Sequence, residues 1–427
     1  MLATARRLAL VTSALACDNR GRGGTGVTTP AEPGQFFDPL NAEHIAEPDE
    51  LMHASRLGCR VGQVSDILYC VNSDVGVRQV FDDTENFSNK GNFSVGAEDV
   101  QWPFTVATQA DPPAHTALRA RLLKDFAPVR LRKLTPQVES IVTDCLNALP
   151  KSGRVDLYAD YAHFIPAKVL YALIGIPQDA WSEVQRWSDV IVATVPAPTH
   201  QLPEFVSLTT YLAELTEERR TRPDDHREDV LDNLCFSGPG EADMSTPEVM
   251  THILQLVVAS TDTTRALIAN CLYRLLENRN NFEAVQADRS QLPNAIEESL
   301  RMDSPAQFMV RSVMRDVTID SYAVPAGKKV YLNIQSANHD ENRWGHDSRR
   351  YRLDRPNPAA HLAFGRGIHT CIGAPLARIE AQVAISALLD RYPHMTLDPD
   401  AKWVKCPGAL TRRVRSVPVR LTEERTR

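Results

Sequence analysis

A mainly α fold with a minor β part is what this sequence predicts, and three observations carry that expectation. Apolar residues recur at spacings of three and four along most of the chain, and one such run, from about 246 to 277, is long enough to cross a whole domain. Strict alternation is confined to short pieces near Val317 to Val324 and Lys329 to Ile334, separated by Pro325, Ala326 and Gly327. After residue 35 no internal repeat and no long low-complexity linker intervenes, so residues 36–427 read as one large domain, although 427 residues would permit two or three.

Taken in order, Arg6 and Arg7 precede the apolar run Leu8 to Cys17, the layout of a short signal peptide or a poor lipoprotein site, set against a frayed helix or a start codon placed too early. The expectation is a cytoplasmic protein that does not use this segment for export. Residues 18–35 are dense in Gly, Thr and Pro and read as a flexible lead-in. Within them Gly21, Gly23 and Gly26 satisfy G-x-G-x-x-G, but VTTPAEPG follows, which cannot open the helix that a dinucleotide fingerprint requires. Leu131, Leu134, Ile141 and Cys145 mark one helix, and Leu208, Leu212 and Leu215 another.

Bulk properties exclude several function classes. With 47 Lys and Arg against 54 Asp and Glu the net charge is −7, which argues against a protein that coats nucleic acid. Eight cysteines lie scattered without a C-x-x-C pair, so a disulfide scaffold is not expected and a reducing compartment is. No run of roughly 18 to 20 apolar residues provides a spanning helix.

The long helical run carries an anomaly. Ser245 or Thr246 can cap it, Pro247 suits its first turn, and Glu248 adds a favourable charge. Its flanks are apolar, yet its centre reads Ser260, Thr261, Asp262, Thr263, Thr264, five polar residues that are expensive to bury without partners. Two explanations stand side by side. The hydroxyls can bond back to carbonyls four residues earlier and bend the helix, or they can line a groove facing water or a bound oxygen species.

Residues 364–373 read FGRGIHTCIG. The glycines allow close approach of the backbone to a flat ligand, and Cys371 precedes Ala374, Pro375, Leu376 and Ala377, a helix start. A thiolate there meets the positive end of a helix, which is expected to lower its pKa. Ile372, Leu376, Ile379 and Val383 place an apolar stripe behind it.

This segment resembles the cytochrome P-450 superfamily of haem-thiolate monooxygenases, whose signature F-G-x-G-x-H-x-C-x-G it matches at all six fixed positions. The resemblance implies a single P-450-type domain with haem b (iron protoporphyrin IX) between the long central helix and the Cys-bearing loop. Cys371 is then the proximal iron ligand. Glu298 and Arg301 in EESLR, with Arg355 in RLDRP, resemble the family's buried structural triad. The positions that match the haem-propionate binders are His115 and Arg119 in DPPAHTALR, Arg311 in SPAQFMVR, and His369. ASTDTT is similar to the oxygen-binding groove, with Asp262 as the acid and Thr263 as the alcohol of a proton relay to bound O₂. Ser260 departs from the pattern, standing where glycine is usual; its CH₂OH narrows the groove and adds a hydrogen-bonding group.

Nothing in the chain supplies electrons, because neither a flavin or nicotinamide domain nor an iron-sulfur cysteine run is present. The resemblance therefore implies a ferredoxin or flavodoxin with its reductase, drawing on NAD(P)H. Arg119, Arg121, Lys124, Arg130, Arg132 and Lys133, against a lone Asp125, form a basic stretch suited to such a partner, or merely a solvated face. The protein is expected to be a monomer acting on a hydrophobic small molecule such as a terpenoid, steroid, fatty acid or polyketide. Candidate pocket linings are Phe93 to Phe104, residues 190–202, Leu256 and Ala259, Gln307 to Val310, and Gly408 to Leu410. A peroxide-using or nitric oxide-reducing enzyme and a non-enzymatic haem-thiolate sensor are the competing readings.

Overall fold

The long helix Thr246–Glu277 begins at a capping box. The Ser245 N–H and hydroxyl both donate to the Glu248 carboxylate, at 2.8 and 2.7 Å, which satisfies an otherwise orphaned end. Its flanks bury Ile253, Leu254, Val257, Leu267, Ile268, Leu272 and Leu275, so it forms the centre of the main core. Around it pack the helices Ile165–Ile174, Pro203–Arg220, Leu292–Met302 and Ala374–Arg391. The computed structural model describes residues 36–92, 94–95, 104–194, 201–223, 227–236, 243–406 and 411–422. The lead-in 1–35, with its export and nucleotide motifs, lies outside the described residues, as do most of Phe93 to Phe104 and all of Gly408 to Leu410.

Strands form the minor part. They are β1 (Val61–Gln63), β2 (Leu68–Val71), β3 (Phe87–Ser88), β4 (Ser152–Asp156), β5 (Phe308–Val313), β6 (Val317–Ile319), β7 (Tyr322–Val324), β8 (Lys329–Asn333), β9 (Thr396–Leu397) and β10 (Pro418–Thr422). One sheet has the order β1-β2-β8-β5-β3, with β2 and β8 parallel, and a second has the order β4-β10-β9. The alternating piece 317–324 is itself a hairpin, β6-β7, turning at Asp320 and Ser321 with φ of 46° and 75°. The Asp320 carboxylate accepts from Arg60 at 3.2 Å and from Ser73 at 2.6 Å, which ties this turn to the sheet.

Glu298 and Arg301 are completely buried and Arg355 is nearly so. Arg301 Nε donates to Glu298 Oε2 at 2.7 Å, and Arg355 Nε to Oε1 at 2.7 Å. Arg301 also donates to the carbonyls of Asn338, Ser348 and Arg350, and Arg355 to those of Trp344, Asp347 and Arg350. One carboxylate and two guanidinium forks thus pin the segment 338–355 that leads into the cysteine loop, as the structural triad was expected to do. Removing one member would leave a buried charge uncompensated.

Candidate functional site

Cys371 follows the 3-10 turn Gly367–His369, its N–H bonding Phe364 O at 2.8 Å, and stands two residues before the helix Ala374–Arg391 with Pro375 in its first turn. The cysteine is solvent-accessible yet lies deep in the molecule, so it opens onto an internal cleft. Backbone N–H groups of Gly373 and Ala374 bond its sulfur, and Arg119 and Arg378 act on it from a distance. Desolvation nevertheless outweighs all of these, and the thiol pKa is raised, not lowered as the helix terminus alone would suggest. Gly365 and Gly367 serve conformation first, with φ of 68° and 71°. A Cβ on Gly367 would stand 2.8 Å from the Phe81 carbonyl oxygen, so Gly367 permits a close approach to the helix Asp74–Asp82.

Beside the cysteine the four expected donors converge. His115 is 3% exposed and neither ring nitrogen has a partner. Its ring centroid lies 4.1 Å from that of His369, whose Nδ1 meets Asn89 Nδ2 at 3.1 Å. Arg119 Nη2 donates to Thr370 O at 2.7 Å, which ties its helix to the cysteine loop. Arg311 is buried, lies over the Phe81 ring at 5.3 Å, and donates only to its own strand's Val310 O; no carboxylate pairs with it among the described residues. Desolvation pulls the Arg311 guanidinium down to about 10. The same effect, reinforced by His115, Arg311 and Arg119, pulls His369 down to about 3. No carboxylate among the described residues is bonded to any of the four; Asp111 acts on His115 and Arg311 from a distance and is itself taken up by Ser88 and Asn89, so the cluster stays short of negative charge and a dianionic group would complete it. The donor set therefore fits the two propionates of a haem, and the accessible sulfur fits its iron.

In the central helix the back-bonding of the first explanation is present. Thr261 Oγ1 donates to Val257 O at 3.2 Å and Thr263 Oγ1 to Ala259 O at 2.9 Å, and the helix runs on without a break. Ala259 is nonetheless exposed, and Ser260, Asp262 and Thr263 are half-buried, in a helix whose flanks are buried, so this turn too faces open space. Asp262 makes one ion pair, 3.7 Å from Arg413 Nε, and Arg413 lies over the Tyr158 ring at 4.1 Å. No side chain among the described residues bonds Asp262 or Thr263 to the Cys371 cluster.

Some linings differ from expectation. Leu256 is buried in the main core, and Phe308 and Val310 are buried in the cluster with Tyr331 and Phe36, whereas Ala259 is exposed and Met309 half-buried. A cleft of about 610 Å³ lined by Arg274, Arg279, Arg349 and Arg350 lies about three turns beyond Thr263. Three of those arginines are committed to Asp303, Glu283 and Glu50, and the cleft does not touch the cysteine site. In the basic stretch, Asp125 is buried and Arg130 and Lys133 share Glu228 at 3.0 and 2.8 Å, so the stretch is less uniformly positive than its sequence.

Sequence reasoning missed Asn89, which no motif marks, and Glu297. The latter grips Arg378 with two bonds of 2.6 and 2.9 Å, and so joins the helix Leu292–Met302 to the helix behind Cys371.

Comparison with known proteins agrees with this geometry. The family model described as Cytochrome P-450 matches residues 65–413. Cytochrome P-450 107B1 of Saccharopolyspora erythraea is 36% identical over 314 residues, 73% of this chain and 76% of that protein. The vitamin D(3) 25-hydroxylase of Pseudonocardia autotrophica is 35% identical over 67% of this chain and 70% of its own length. Among solved structures, CYP109Q5 from Chondromyces apiculatus superposes with a TM-score of 0.82 at 30% identity, over 92% of this chain and 99% of that one. CYP109E1 from Bacillus megaterium in complex with testosterone gives 0.78 at 29% identity, over 88% and 99%. With its cysteine loop, buried triad and unpaired cationic cluster in place, the chain belongs to the cytochrome P-450 family of haem-using, O₂-dependent monooxygenases.

Proposed function

We propose that this enzyme takes electrons singly from a ferredoxin or flavodoxin, itself reduced through NAD(P)H, and inserts oxygen into a hydrophobic multi-ring or macrocyclic molecule in the cytoplasm. The observation that carries the reading is the accessible Cys371 sulfur beside four donors, His115 and Arg311 buried and Arg119 and His369 half-buried, none of them bonded to a carboxylate among the described residues. Bound haem would supply the activation of O₂ and the attack on a C–H bond.

The protein's own groups do the rest. Cys371 would hold the iron, its sulfur steadied by the N–H groups of Gly373 and Ala374. His115, Arg119, Arg311 and His369 would hold the propionates with charge-assisted bonds. Thr263 Oγ, whose proton is now directed at Ala259 O, has its lone pairs available to a water, and Asp262 can pass protons to that water. The Ser260 hydroxyl, bonded to neither carbonyl four residues back nor any side chain among the described residues, offers a second hydrogen bond and narrows the space above the haem.

Electron delivery is assigned to the face bearing Lys124, Arg132 and Lys133, which also exposes the apolar Leu123 (49%) and Val129 (60%). Exposed apolar side chains in a stretch with exposed cations, of which Lys133 is paired with Glu228, suit an acidic carrier. Relatives support the substrate class: one is named a 6-deoxyerythronolide B hydroxylase and another a vitamin D(3) 25-hydroxylase.

The test is a ligand screen for the low-spin to high-spin absorbance shift with steroids, macrolactones, fatty acids and small terpenoids. It is followed by NADH-driven turnover with surrogate ferredoxin pairs at rising ionic strength. Shifts with steroids or macrolactones and a rate that falls with salt are expected. A response only to fatty acids overturns the substrate class, and turnover with hydrogen peroxide alone overturns the electron route.

A further inference from the structure

We infer that Asn89 is a positioning residue that fixes the tautomer of His369, so that the imidazole meets a haem propionate as an Nε2–H donor. This rests on the reading of His369 as a propionate binder. Asn89 is 2% exposed and directly follows strand β3. Its backbone is tied to the cluster through Asp111. The Asn89 N–H donates to Asp111 Oδ1 at 2.8 Å, the Ser88 hydroxyl donates to Oδ2, and the Asp111 carbonyl accepts from the His115 N–H at 3.0 Å. The end of the strand is thereby fixed to the helix Ala114–Leu123, which bears His115 and Arg119.

The orientation of the amide follows from its partners. Asn89 Nδ2 donates to the Thr108 carbonyl, which also accepts from Asn92 Nδ2 at 2.7 Å. A carbonyl oxygen only accepts, so the end of Asn89 that meets it is the NH₂; turned over, the amide would set oxygen against oxygen. The same nitrogen stands 3.1 Å from His369 Nδ1. With one amide hydrogen on Thr108 O and the other directed at the ring, Nδ1 has to accept, and the imidazole then carries its proton on Nε2, which bonds nothing among the described residues. Thr108 is itself anchored, because its hydroxyl accepts from Gln255 Nε2 on the central helix. The two histidines of the cluster therefore differ. Neither nitrogen of His115 has a partner, so its ring answers to whatever binds, whereas the ring of His369 is set beforehand. Asn89 Oδ1 is left buried and unpartnered, which lowers stability and counts against a purely structural role for this side chain. A donor already fixed in its tautomer spares the ring a rearrangement when the anion arrives.

Long-range nitrogen–proton NMR correlation spectra of the ferrous, CO-bound holoenzyme report the tautomer, the His369 signals being those lost in His369→Phe. The Nε2–H pattern is expected in the unaltered protein. Asn89→Leu, which keeps the shape without the donor, should give a mixture of tautomers, and Asn89→Asp, whose carboxylate can only accept, should move the proton to Nδ1. Independently of turnover, haem transfer to an acceptor globin should be about fivefold faster in Asn89→Leu, and in a His369→Phe background Asn89→Leu should add nothing. If His369→Phe alone leaves haem transfer unchanged, the propionate reading of His369 fails, and the inference with it. If His369→Phe speeds transfer but the unaltered ring carries its proton on Nδ1, or Asn89→Leu leaves either tautomer or transfer rate unchanged, or speeds transfer equally in the His369→Phe background, the propionate reading stands and the role of Asn89 is refuted.

Discussion

Replacing Asp125 by Asn should stabilise the protein at pH 7.5 and not at pH 4.5. Asp125 is 1% exposed, accepts a short bond from Asn233 Nδ2 on Oδ1, and has no partner on Oδ2. Desolvation outweighs the Asn233 bond and the charges of Arg130 and Lys124, raising its pKa from 3.8 to about 6. Because the folded value lies above the unfolded one, the ionised carboxylate penalises the fold. The penalty is in full force above pH 6, fades as pH falls, and is gone below 3.8. A rise of that size corresponds to ~3 kcal/mol. The amide keeps the acceptor for Asn233 but places an unpartnered N–H₂ where Oδ2 was, which costs ~1 kcal/mol. The net gain of ~2 kcal/mol corresponds to an unfolding midpoint about 2 °C higher for a chain of this length. Thermal scans of the holoenzyme at fixed rate, at pH 7.5, 6 and 4.5, measure it. At pH 4.5 the advantage should vanish or reverse. Equal gains at all three pH values, or none at pH 7.5, would show that Asp125 is not buried as a charge.

Three further outcomes follow from the same physics. Arg355→Ala strips one guanidinium from the fully buried Glu298 and should destabilise by ~3–5 kcal/mol, with a sharp loss of bound haem read from the ratio of Soret to protein absorbance. Arg311→Gln should release haem to an acceptor globin about tenfold faster yet leave the haem-free protein more stable, since desolvation of this buried charge outweighs its only carboxylate influence, Asp111 acting from a distance; a haem-free variant of lower stability argues against a propionate role. Thr263→Ala removes a hydroxyl bonded only to Ala259 O, so stability should change by less than ~1 kcal/mol while the peroxide share of reducing equivalents rises several-fold; unchanged coupling refutes the relay.

What could be read from the sequence was whatever a local pattern dictates. The start of the central helix was legible to within one residue, Ser245 or Thr246, because Ser245, Pro247 and Glu248 are neighbours in sequence and their bonds are local; the cap is Ser245. The cysteine loop and its four donors were legible through the resemblance, and the donors converge as it implied. The hairpin β6-β7 was not resolved from a single alternating piece, because its turn uses Asp320 and Ser321 at positive φ without glycine, held by Arg60 and Ser73 from more than 240 residues away. The sign of the Cys371 shift was misjudged for a related reason. A helix terminus is visible in sequence, but the protein mass that desolvates the sulfur is not. Pairings such as Glu297 with Arg378 and Asp262 with Arg413 join segments 81 and about 150 residues apart, and no spacing rule reports them.

Seen from the chemistry, bond strength is distributed unevenly on purpose-built sides of the site. Behind the cysteine, Glu298 and Glu297 hold Arg301, Arg355 and Arg378 with buried or partly buried bonds of 2.6 to 2.9 Å. Position there must not drift, because a ligand sulfur sets the electronics of its metal by distance and hydrogen bonding. Along the central helix the reverse holds. Thr263 is tied only to its own helix, Ser260 is bonded to nothing described, and Asp262 leans on a cation 3.7 Å away. In the proposed relay the groups that hand on protons exchange partners during a cycle, and every ~1.4 kcal/mol that binds them to a fixed partner lowers the population in the transferring arrangement tenfold. Tightening the weak side, for instance by a substitution that gives Asp262 a bidentate partner, should therefore slow proton delivery even as it stabilises the fold, whereas loosening the strong side should lose haem before it alters proton transfer.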